Sequence, residues 1–340
     1  MRLRNSVFWG ILAVLFAGFF LALFLLIRFF QSPPAAAPTP TLPPAGTAAP
    51  SPTLNPSASP SPSPTPGPTG KIVYACQVSA RANHDQICLM NADGSGIRRL
   101  TFDDSFENYY PSFSPDGNSV VYSSNRTGGY ELYELDLVSG NLVQLTHGIG
   151  EVAAPAISPD GRLIVFADNI GQFSRIWLMN RDGSDPHQVY ALYGVDSLDP
   201  TWSPDGARIL FASGAGTEKL LYTINLDGSG LQPVSTEFRT RGRSDWSRDG
   251  SRIASYAGSS WNWNIYLMNA DGTGLHLLQV GGVALAPAFS PDGQWIVFTG
   301  YLDHPGDPNG CEIYVMQLEG TRITRLTYND YCDWQPRWGP

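Results

Sequence analysis

The heptapeptide PTWSPDG, at Pro200–Gly206, is one copy of a motif that recurs along the chain. The other copies are PSFSPDG at Pro111–Gly117, PAISPDG at Pro155–Gly161, PAFSPDG at Pro287–Gly293, a degraded SDWSRDG at Ser244–Gly250 and a truncated PRWGP at Pro336–Pro340. Successive copies begin 43 to 49 residues apart. A near-constant period of this length is typical of stacked supersecondary units.

Each copy introduces the same order of short β-rich segments. In one repeat, LIVFAD (Leu163–Asp168) follows the motif, and RIWLMN (Arg175–Asn180) comes after a variable loop. A Gly-containing turn and a short fourth segment, such as LVQLT at Leu142–Thr146, complete a unit. The alternation of Ile, Val, Phe and Tyr runs with turn residues predicts four strands per unit.

The Ser-Pro-Asp-Gly string predicts a tight turn. Proline presets φ for the first corner of a type I turn, aspartate takes the second, and glycine supplies the left-handed position of a three-residue hairpin. A second set of Asp-Gly turns, such as NADG at Asn91–Gly94, has the same role. These strings faintly resemble calcium loops, but they lack the downstream glutamate and the flanking helices.

The first and last segments together complete a ring. Lys71–Thr101 supplies strands two to four of a unit, and Pro336–Pro340 supplies the missing first strand. The sequence therefore predicts an all-β fold over residues 70–340, a six-bladed β-propeller with four-stranded antiparallel blades. Pairing of 336–340 with the first blade closes the ring and removes an exposed sheet edge.

Residues 1–69 are predicted to form an anchor and a stalk. Val7–Ile27 is an apolar run of 21 residues, which at ~1.5 Å per residue spans about one bilayer core. Arg2 and Arg4 precede it, so residues 1–30 are expected to form a cytoplasmic N-terminus and a signal-anchor helix, with the propeller outside the cytoplasmic membrane. Cleavage of a signal peptide near Ala35–Pro38 is the alternative. Residues 31–69, with 14 prolines, are predicted to be a disordered, extended linker.

The charge distribution limits the partners of the predicted propeller. All 30 acidic residues of the chain follow residue 70, against 18 of the 21 Lys and Arg residues, a net charge of −12. A domain this acidic is not expected to bind nucleic acid, or anionic lipid through a basic face. Membrane attachment is therefore assigned to the N-terminal helix alone.

The repeated P-x-[WF]-S-P-D-G string followed by IYxMN-x-DG, as in NIYLMNADG at 264–272, resembles the TolB-type six-bladed propeller with WD-repeat-like units. The propellers of dipeptidyl peptidases and prolyl oligopeptidases are similar. The resemblance covers residues 71–340 and implies the fold more than a function. An anchor and stalk stand where TolB has a small α/β domain, so the chain does not resemble TolB itself in architecture. The sequence also lacks the G-x-S-x-G string of the peptidases, so their catalysis is not implied.

Variable loops on one face of a propeller are where binding residues are expected. The residues before each repeat proline are predicted to ring the mouth of the central channel, together with aromatic residues of the loops between second and third strands. The candidate ligand-binding residues are Tyr109, Asp199, Arg241, Arg243, Trp261, Trp263, Tyr301, Asp333 and Trp334. An aromatic and charged mouth suits a peptide or protein segment.

The four cysteines agree with an extracytoplasmic domain. Their order in sequence and their predicted place near the variable loops favour two disulfides, Cys76–Cys88 and Cys311–Cys332. A metal cluster of neighbouring loop residues is the rival reading, from His84, Asp85, Asp303, His304 and Asp307. No pair of these has the spacing of a zinc site, so no metal and no cofactor is expected.

Three functions remain open on the sequence. The first is a non-catalytic scaffold in the cell envelope that binds a protein or peptide. The second is a carbohydrate or cell-wall binding module that uses Trp261, Trp263, Trp334 and Tyr301 as stacking platforms. The third is a glycan-acting hydrolase or lyase that uses Asp196, Asp199 and Asp333, although no catalytic residue is assigned because their spacing does not distinguish them from surface acids.

Overall fold

The computed structural model describes residues 67–79, 85–169, 171–217, 219–259, 261–307 and 309–340. Across these ranges we find no helix with the length and apolar character needed to cross a bilayer. The predicted transmembrane segment Val7–Ile27, and the predicted linker up to residue 66, lie outside the described residues.

The described residues form 24 strands in six four-stranded antiparallel sheets, which confirms the six-bladed propeller. Blade 1 contains β24 (Asp333–Gly339), β1 (Lys71–Gln77), β2 (Asp85–Asn91) and β3 (Arg98–Arg99), in that order from the inside. Blade 2 contains β4 (Asn108–Phe113), β5 (Ser119–Ser124), β6 (Glu131–Asp136) and β7 (Leu142–Gln144). Blade 3 contains β8 (Val152–Ile157), β9 (Leu163–Asp168), β10 (Arg175–Asn180) and β11 (His187–Tyr190).

The remaining three blades follow the same order from the channel outward. Blade 4 contains β12 (Asp196–Trp202), β13 (Arg208–Gly214), β14 (Leu220–Asn225) and β15 (Gln232–Pro233). Blade 5 contains β16 (Asp245–Trp246), β17 (Arg252–Ser259), β18 (Asn262–Asn269) and β19 (His276–Leu277). Blade 6 contains β20 (Ala284–Phe289), β21 (Trp295–Gly300), β22 (Glu312–Gln317) and β23 (Thr324–Arg325).

The ring closes as predicted, with one difference in bounds. Strand β24 pairs with β1 from Lys71↔Gly339 to Cys76↔Asp333. The closing strand therefore covers Asp333–Gly339 rather than 336–340, because the residues that precede the repeat proline Pro336 also pair with β1. Both predicted disulfides, Cys76–Cys88 and Cys311–Cys332, are present and flank this junction.

The Ser-Pro-Asp-Gly turns have the predicted mechanism but a longer loop. In blade 2 the Gly117 N–H donates to the Ser114 carbonyl at 2.9 Å, and Gly117 has φ +72°. The Asp116 carboxylate accepts hydrogen bonds from the Ser114 hydroxyl and the Asn118 N–H. The loop between the hydrogen-bonded Ser114 and Ser119 has four residues rather than three, because Asn118 is also needed to reach β5.

Blade-to-blade packing forms the core. The second strand is almost fully buried in five blades, and each of these places an aromatic ring at its fourth position: Tyr74, Tyr122, Phe166, Phe211 and Phe298. Blade 5 has Ser255 there, and its hydroxyl is hydrogen-bonded to those of Thr240 and Ser244, each at 2.8 Å. The apolar contacts of neighbouring blades hold the ring, and the two faces of the ring remain as its functional surfaces.

The two faces of the propeller differ in the connections that they carry. The turn face bears the Ser-Pro-Asp-Gly turns and the turns between third and fourth strands. The loop face bears the variable loops and the connections between blades. The first described residues join β1 at the turn face, where the Trp338 indole N–H donates to the Thr69 carbonyl at 2.8 Å.

Candidate functional site in the central channel

The six innermost strands line the central channel, and five of them share a β-bulge. The residue before the repeat proline takes a left-handed conformation in those strands, with φ between +51° and +56°: Tyr110, Ala154, Asp199, Ala286 and Gln335. In each case the register shifts at that point. Bulges of this kind re-aim side chains and main-chain groups, and here they direct carbonyls into the channel.

Arg243 lies across the channel. The sequence had predicted it at the mouth of the channel. Its guanidinium donates to the Pro111 carbonyl of blade 2 at 3.0 Å and to the Gln335 carbonyl of blade 1 at 3.3 Å. It also stacks over the Tyr110 ring at 5.4 Å, and the residue is only 4% exposed. Burial lowers the pKa of this guanidinium to about 9, nearby Arg337 lowers it further, and Asp199 opposes both effects.

Arg337 makes the reciprocal connection from blade 1. Its guanidinium donates to the carbonyls of Pro287 in blade 6 and Ser244 in blade 5, both at 3.3 Å. Burial lowers its pKa, and Asp245 and Asp199 counteract that shift. Arg243 and Arg337 together tie four of the six blades and close the middle of the channel.

Asp199 faces the arginines from blade 4. It is half-buried, and burial raises the pKa of its carboxyl while Arg243 and Arg337 act in the opposite direction. Tyr110 and Tyr256 are also half-buried, and burial together with Asp199 raises the pKa of both phenols. The Asp199 carboxyl and the two phenols therefore form one polar cluster around the Arg243 guanidinium on the loop-face side of the channel, and this cluster is called the cup.

Blade 5 opens one side of this cup. Its inner strand β16 has two residues where the other inner strands have six or seven. Tyr256 occupies the position that is Ser123, Ala167, Ala212, Thr299 or Ala75 in the other blades, and it fills the space that the missing inner strand leaves. Gly242 passes so close that a Cβ there would lie 2.7 Å from the Asp199 carboxylate and 3.2 Å from the Tyr256 hydroxyl.

Trp261, Trp263 and Tyr301 form one aromatic cluster on the loop face, as the loop assignment predicts. The two indoles stack at 5.9 Å, and Tyr301 meets Trp261 edge-on at 5.2 Å. Trp261 is 44% exposed and has φ +65° at the tip of the β17–β18 hairpin. Tryptophan rarely takes this conformation, so an exposed indole is held there at some backbone cost.

Asp333 is not a surface acid. It is 2% exposed, its Oδ2 accepts a hydrogen bond from Asn329 at 2.8 Å, and its Oδ1 has no hydrogen-bond partner within the described part of the chain. Burial and the neighbouring Glu312 raise its pKa to about 7. Glu312 is itself buried and paired with Arg325. Asp333 therefore belongs to the seam between blades 6 and 1.

Of the remaining candidates, Tyr109 and Arg241 lie at the rim of the channel, and Trp334 lies at the seam between blades 6 and 1. Tyr109 packs against Tyr110 and Tyr130 at ring distances of 5.2 and 4.8 Å. Arg241 is half-buried and donates to the Thr217 carbonyl at 3.1 Å. The Trp334 indole donates to Asp85 at 2.9 Å, and no described ring contact joins it to the Trp261 cluster. The structure thus brings Asp199 and Arg243 together, and the three loop aromatics together.

The acids proposed for glycan chemistry lie in two blades and differ in exposure. Asp199 and Asp333 lie in blades 4 and 1, three positions apart in a ring of six, and Asp333 is buried. Asp196 accepts a hydrogen bond from the Ser174 N–H and lies 3.7 Å from the Lys219 ammonium. Two carboxyls that act on one glycosidic bond must face the same substrate across roughly 5–9.5 Å. Within the described residues no group of three or more His, Cys, Asp or Glu could hold a metal ion.

Sequence reasoning missed Arg337, Asp245 and Tyr256. Asp245 is half-buried, and its Oδ2 accepts the Phe289 N–H at 2.8 Å. The signal was available, because each residue stands at a motif position where most other copies carry a small residue. Asp245 and Arg337 correspond to Ser112, Ala156, Thr201 and Ala288.

The fold and the channel define a six-bladed propeller with a plugged central channel. The chain belongs to the family described as the TolB beta propeller domain, which it matches over residues 55–236 and again over 145–299. This confirms the resemblance drawn from the repeated motif.

Sequence relatives match only segments of their length. An uncharacterised protein of Agrobacterium fabrum is 32% identical over 117 residues, covering 34% of this chain and 39% of that protein. The Tol-Pal system protein TolB of Francisella tularensis is 32% identical over 84 residues, covering 24% of this chain and 19% of that one. The chain therefore aligns with less than half of either relative.

Solved structures agree on the fold. TolB from Acinetobacter baumannii superposes with a TM-score of 0.70 at 22% identity, over 80% of this chain and 67% of that one. A putative TolB from Agrobacterium tumefaciens gives 0.59 at 21% identity, over 81% of this chain and 100% of that one. At these identities the likeness concerns architecture alone.

Proposed function

We propose that this chain is a non-catalytic, membrane-tethered scaffold of the cell envelope that binds a protein or peptide segment on the loop face of its propeller. The observation that carries the proposal is the plugged channel. Arg243 crosses the channel below the loop face, and Asp199, Tyr110 and Tyr256 lie above it in the cup. A cup with aromatic and charged groups suits a side chain or a chain end of a partner.

The aromatic cluster of Trp261, Trp263 and Tyr301 extends this surface outward. Large aromatic side chains with partial exposure are the usual anchors of protein interfaces, since they bury much area at little entropic cost. Membership of the TolB propeller family, and a relative named for the Tol-Pal system, support an assembly role over a chemical one.

Site-specific photo-crosslinking tests the proposal with the full chain in its own membranes. A crosslinking residue at Trp261 reports on the loop face, and one at Arg162 reports on the turn face, where that side chain is exposed. We expect discrete protein adducts from position 261 that are missing from position 162. Equal adducts from both positions, or none from position 261, would contradict a loop-face partner.

A carbohydrate-binding module is the second candidate, because stacked indoles also suit the apolar face of a sugar ring. The same crosslinking experiment separates the two. Adducts from position 261 that shift on glycan digestion and resist protease treatment would favour the carbohydrate. Adducts that are lost on protease treatment would favour the protein partner.

A further inference from the structure

The turn face carries a recess that the proposed function does not use. The channel opens there into a cavity of about 220 Å³, on the opposite side of the arginine plug from the loop-face cup. Its walls are mostly apolar and come from the end of each inner strand: Phe113, Ile157, Trp202, Trp246, Phe289 and Trp338. Its volume lies a little below the roughly 300–1,000 Å³ of pockets for drug-sized ligands, so it suits a ligand no larger than one aromatic amino acid.

The repeated motif provides an internal reference for this recess. The residue directly before each of these six wall residues is small in four blades, and it is charged in the other two, where it is Asp245 or Arg337. The residue after the turn serine is proline in four blades and Arg248 in blade 5. All the charged side chains that line the recess, Asp245, Arg248 and Arg337, are therefore departures from the repeat.

Two of these charges are already engaged. Arg337 donates to two carbonyls, and Asp245 accepts the Phe289 N–H and attracts Arg337 electrostatically. Arg248 differs, because it is exposed at the rim and has no hydrogen-bond or ion-pair partner among the described residues. The lining groups therefore leave one uncompensated positive charge beside an aromatic wall.

The aspartates of the turns do not supply the missing partner. Asp249, which follows Arg248, accepts hydrogen bonds from the Ser247 and Ser251 hydroxyls and from the Ser251 N–H. The corresponding aspartates of the other blades are held in the same way, inside their own turns. Their carboxylates do not line the recess.

We propose that the turn-face recess is a second binding site, for a small organic anion with one carboxylate and a flat apolar body. The apolar body lies between Trp202 and Trp246, and the carboxylate pairs with the Arg248 guanidinium, whose planar group can hold both oxygens. The site is separate from the loop-face cup, because Arg243 and Arg337 stand between them.

Ligand-detected NMR titration of the full chain tests this, with 3-phenylpropanoate and its uncharged amide as the two compounds. We expect saturable binding of the carboxylate in the millimolar range that is normal for a ligand of this size, and at least tenfold weaker binding of the amide. Arg248→Pro is the informative variant, since it restores the turn of four other blades and removes the guanidinium. It should weaken the carboxylate at least tenfold and leave the amide unchanged.

Arg162→Gln is the matched control, because Arg162 is an exposed arginine of the same face that does not line the recess. It should leave both titrations unchanged. Equal affinity for acid and amide, an unchanged affinity in Arg248→Pro, equal losses in both variants, or no saturable binding of either compound would each overturn the proposal.

Discussion

Blades 4 and 5 are neighbours built on the same repeat, and they differ mainly toward the channel. Blade 4 has a seven-residue inner strand with the common bulge, and blade 5 has a two-residue one. The middle strands show the reverse, since β17 and β18 of blade 5 have eight residues each and pair along their whole length. Packing between blades depends on the middle strands, so the channel side of one blade can change without loss of the ring.

The largest effect is expected from removal of most of β24, the strand that closes the ring. Deletion of Pro336–Pro340 removes Arg337, which holds the Ser244 carbonyl, and leaves β1 with an open edge. We expect a loss of more than about 5 kcal/mol in the free energy of unfolding, and aggregation, measured by thermal denaturation and size-exclusion chromatography.

Deletion of Pro340 alone is the control for that experiment, because Pro340 lies beyond β24. It should leave the melting temperature nearly unchanged. If the five-residue deletion behaved in the same way, ring closure would not be what stabilises the fold.

A smaller effect is expected from the plug itself. Arg243→Gln leaves the Pro111 and Gln335 carbonyls without their charged donor, and each buried carbonyl that loses its partner costs about 1–3 kcal/mol. We therefore expect a loss of about 3–5 kcal/mol, measured by urea denaturation. Arg241→Gln, two residues away with one bond to the Thr217 carbonyl, should cost less than about 1 kcal/mol. Equal costs would show that blade 5 does not need a connection across the channel.

The seam between blades 6 and 1 makes stability depend on pH. Folding raises the pKa of Asp333 from 3.8 to about 7, so the folded chain holds a proton that the unfolded chain releases. Stability should therefore fall as the pH rises from about 4 to about 7, by up to about 4 kcal/mol, and level off above that range. Urea midpoints at several pH values measure this decrease.

Asp333→Asn should flatten that pH dependence, because an amide keeps the buried position without a charge. Asp330→Asn, at an exposed position of the same loop, should leave the dependence as it is in the parent chain. A slope that persists in Asp333→Asn would assign the effect to another group, with Asp199 and Asp245, whose pKa values burial also raises, the first to test.

Blades 4 and 5 can also be compared by substitutions at one motif position that they share. Ala212 of blade 4 and Tyr256 of blade 5 occupy the same motif position, but Ala212 pairs with Leu198 of a complete inner strand. Ala212→Tyr should therefore cost about 1–3 kcal/mol through overpacking, whereas Tyr256→Phe in the open blade should cost less than about 1 kcal/mol. Similar costs at the two sites, measured by urea denaturation, would mean that the complete inner strand of blade 4 leaves as much room at position 212 as blade 5 has at position 256.

The sequence predicted the ring because its period, its turns and its split blade are local patterns with one consistent solution. The loop aromatics and both disulfides followed from the same topology. The plug did not, because Arg243 precedes the one inner strand that lacks the common bulge, and its acceptors, the Pro111 and Gln335 carbonyls, lie 132 and 92 residues away in the sequence. Asp333 was expected at the mouth, but its pairing with Cys76 and its hydrogen bond from Asn329 hold it in the seam, and neither contact is visible in the repeat pattern.

The smallest change in stability is expected where the function is proposed. Trp261→Gly removes the ring contacts with Trp263 and Tyr301 but relieves the φ of +65°, which glycine adopts freely. These effects oppose each other, so the free energy of unfolding should change by less than about 1 kcal/mol. Partner adducts captured from a crosslinking residue at Tyr109, on the same face, should nevertheless be lost. Adducts that persist in Trp261→Gly would restrict the binding surface to the cup, and a large loss of stability would make Trp261 a structural residue of blade 5.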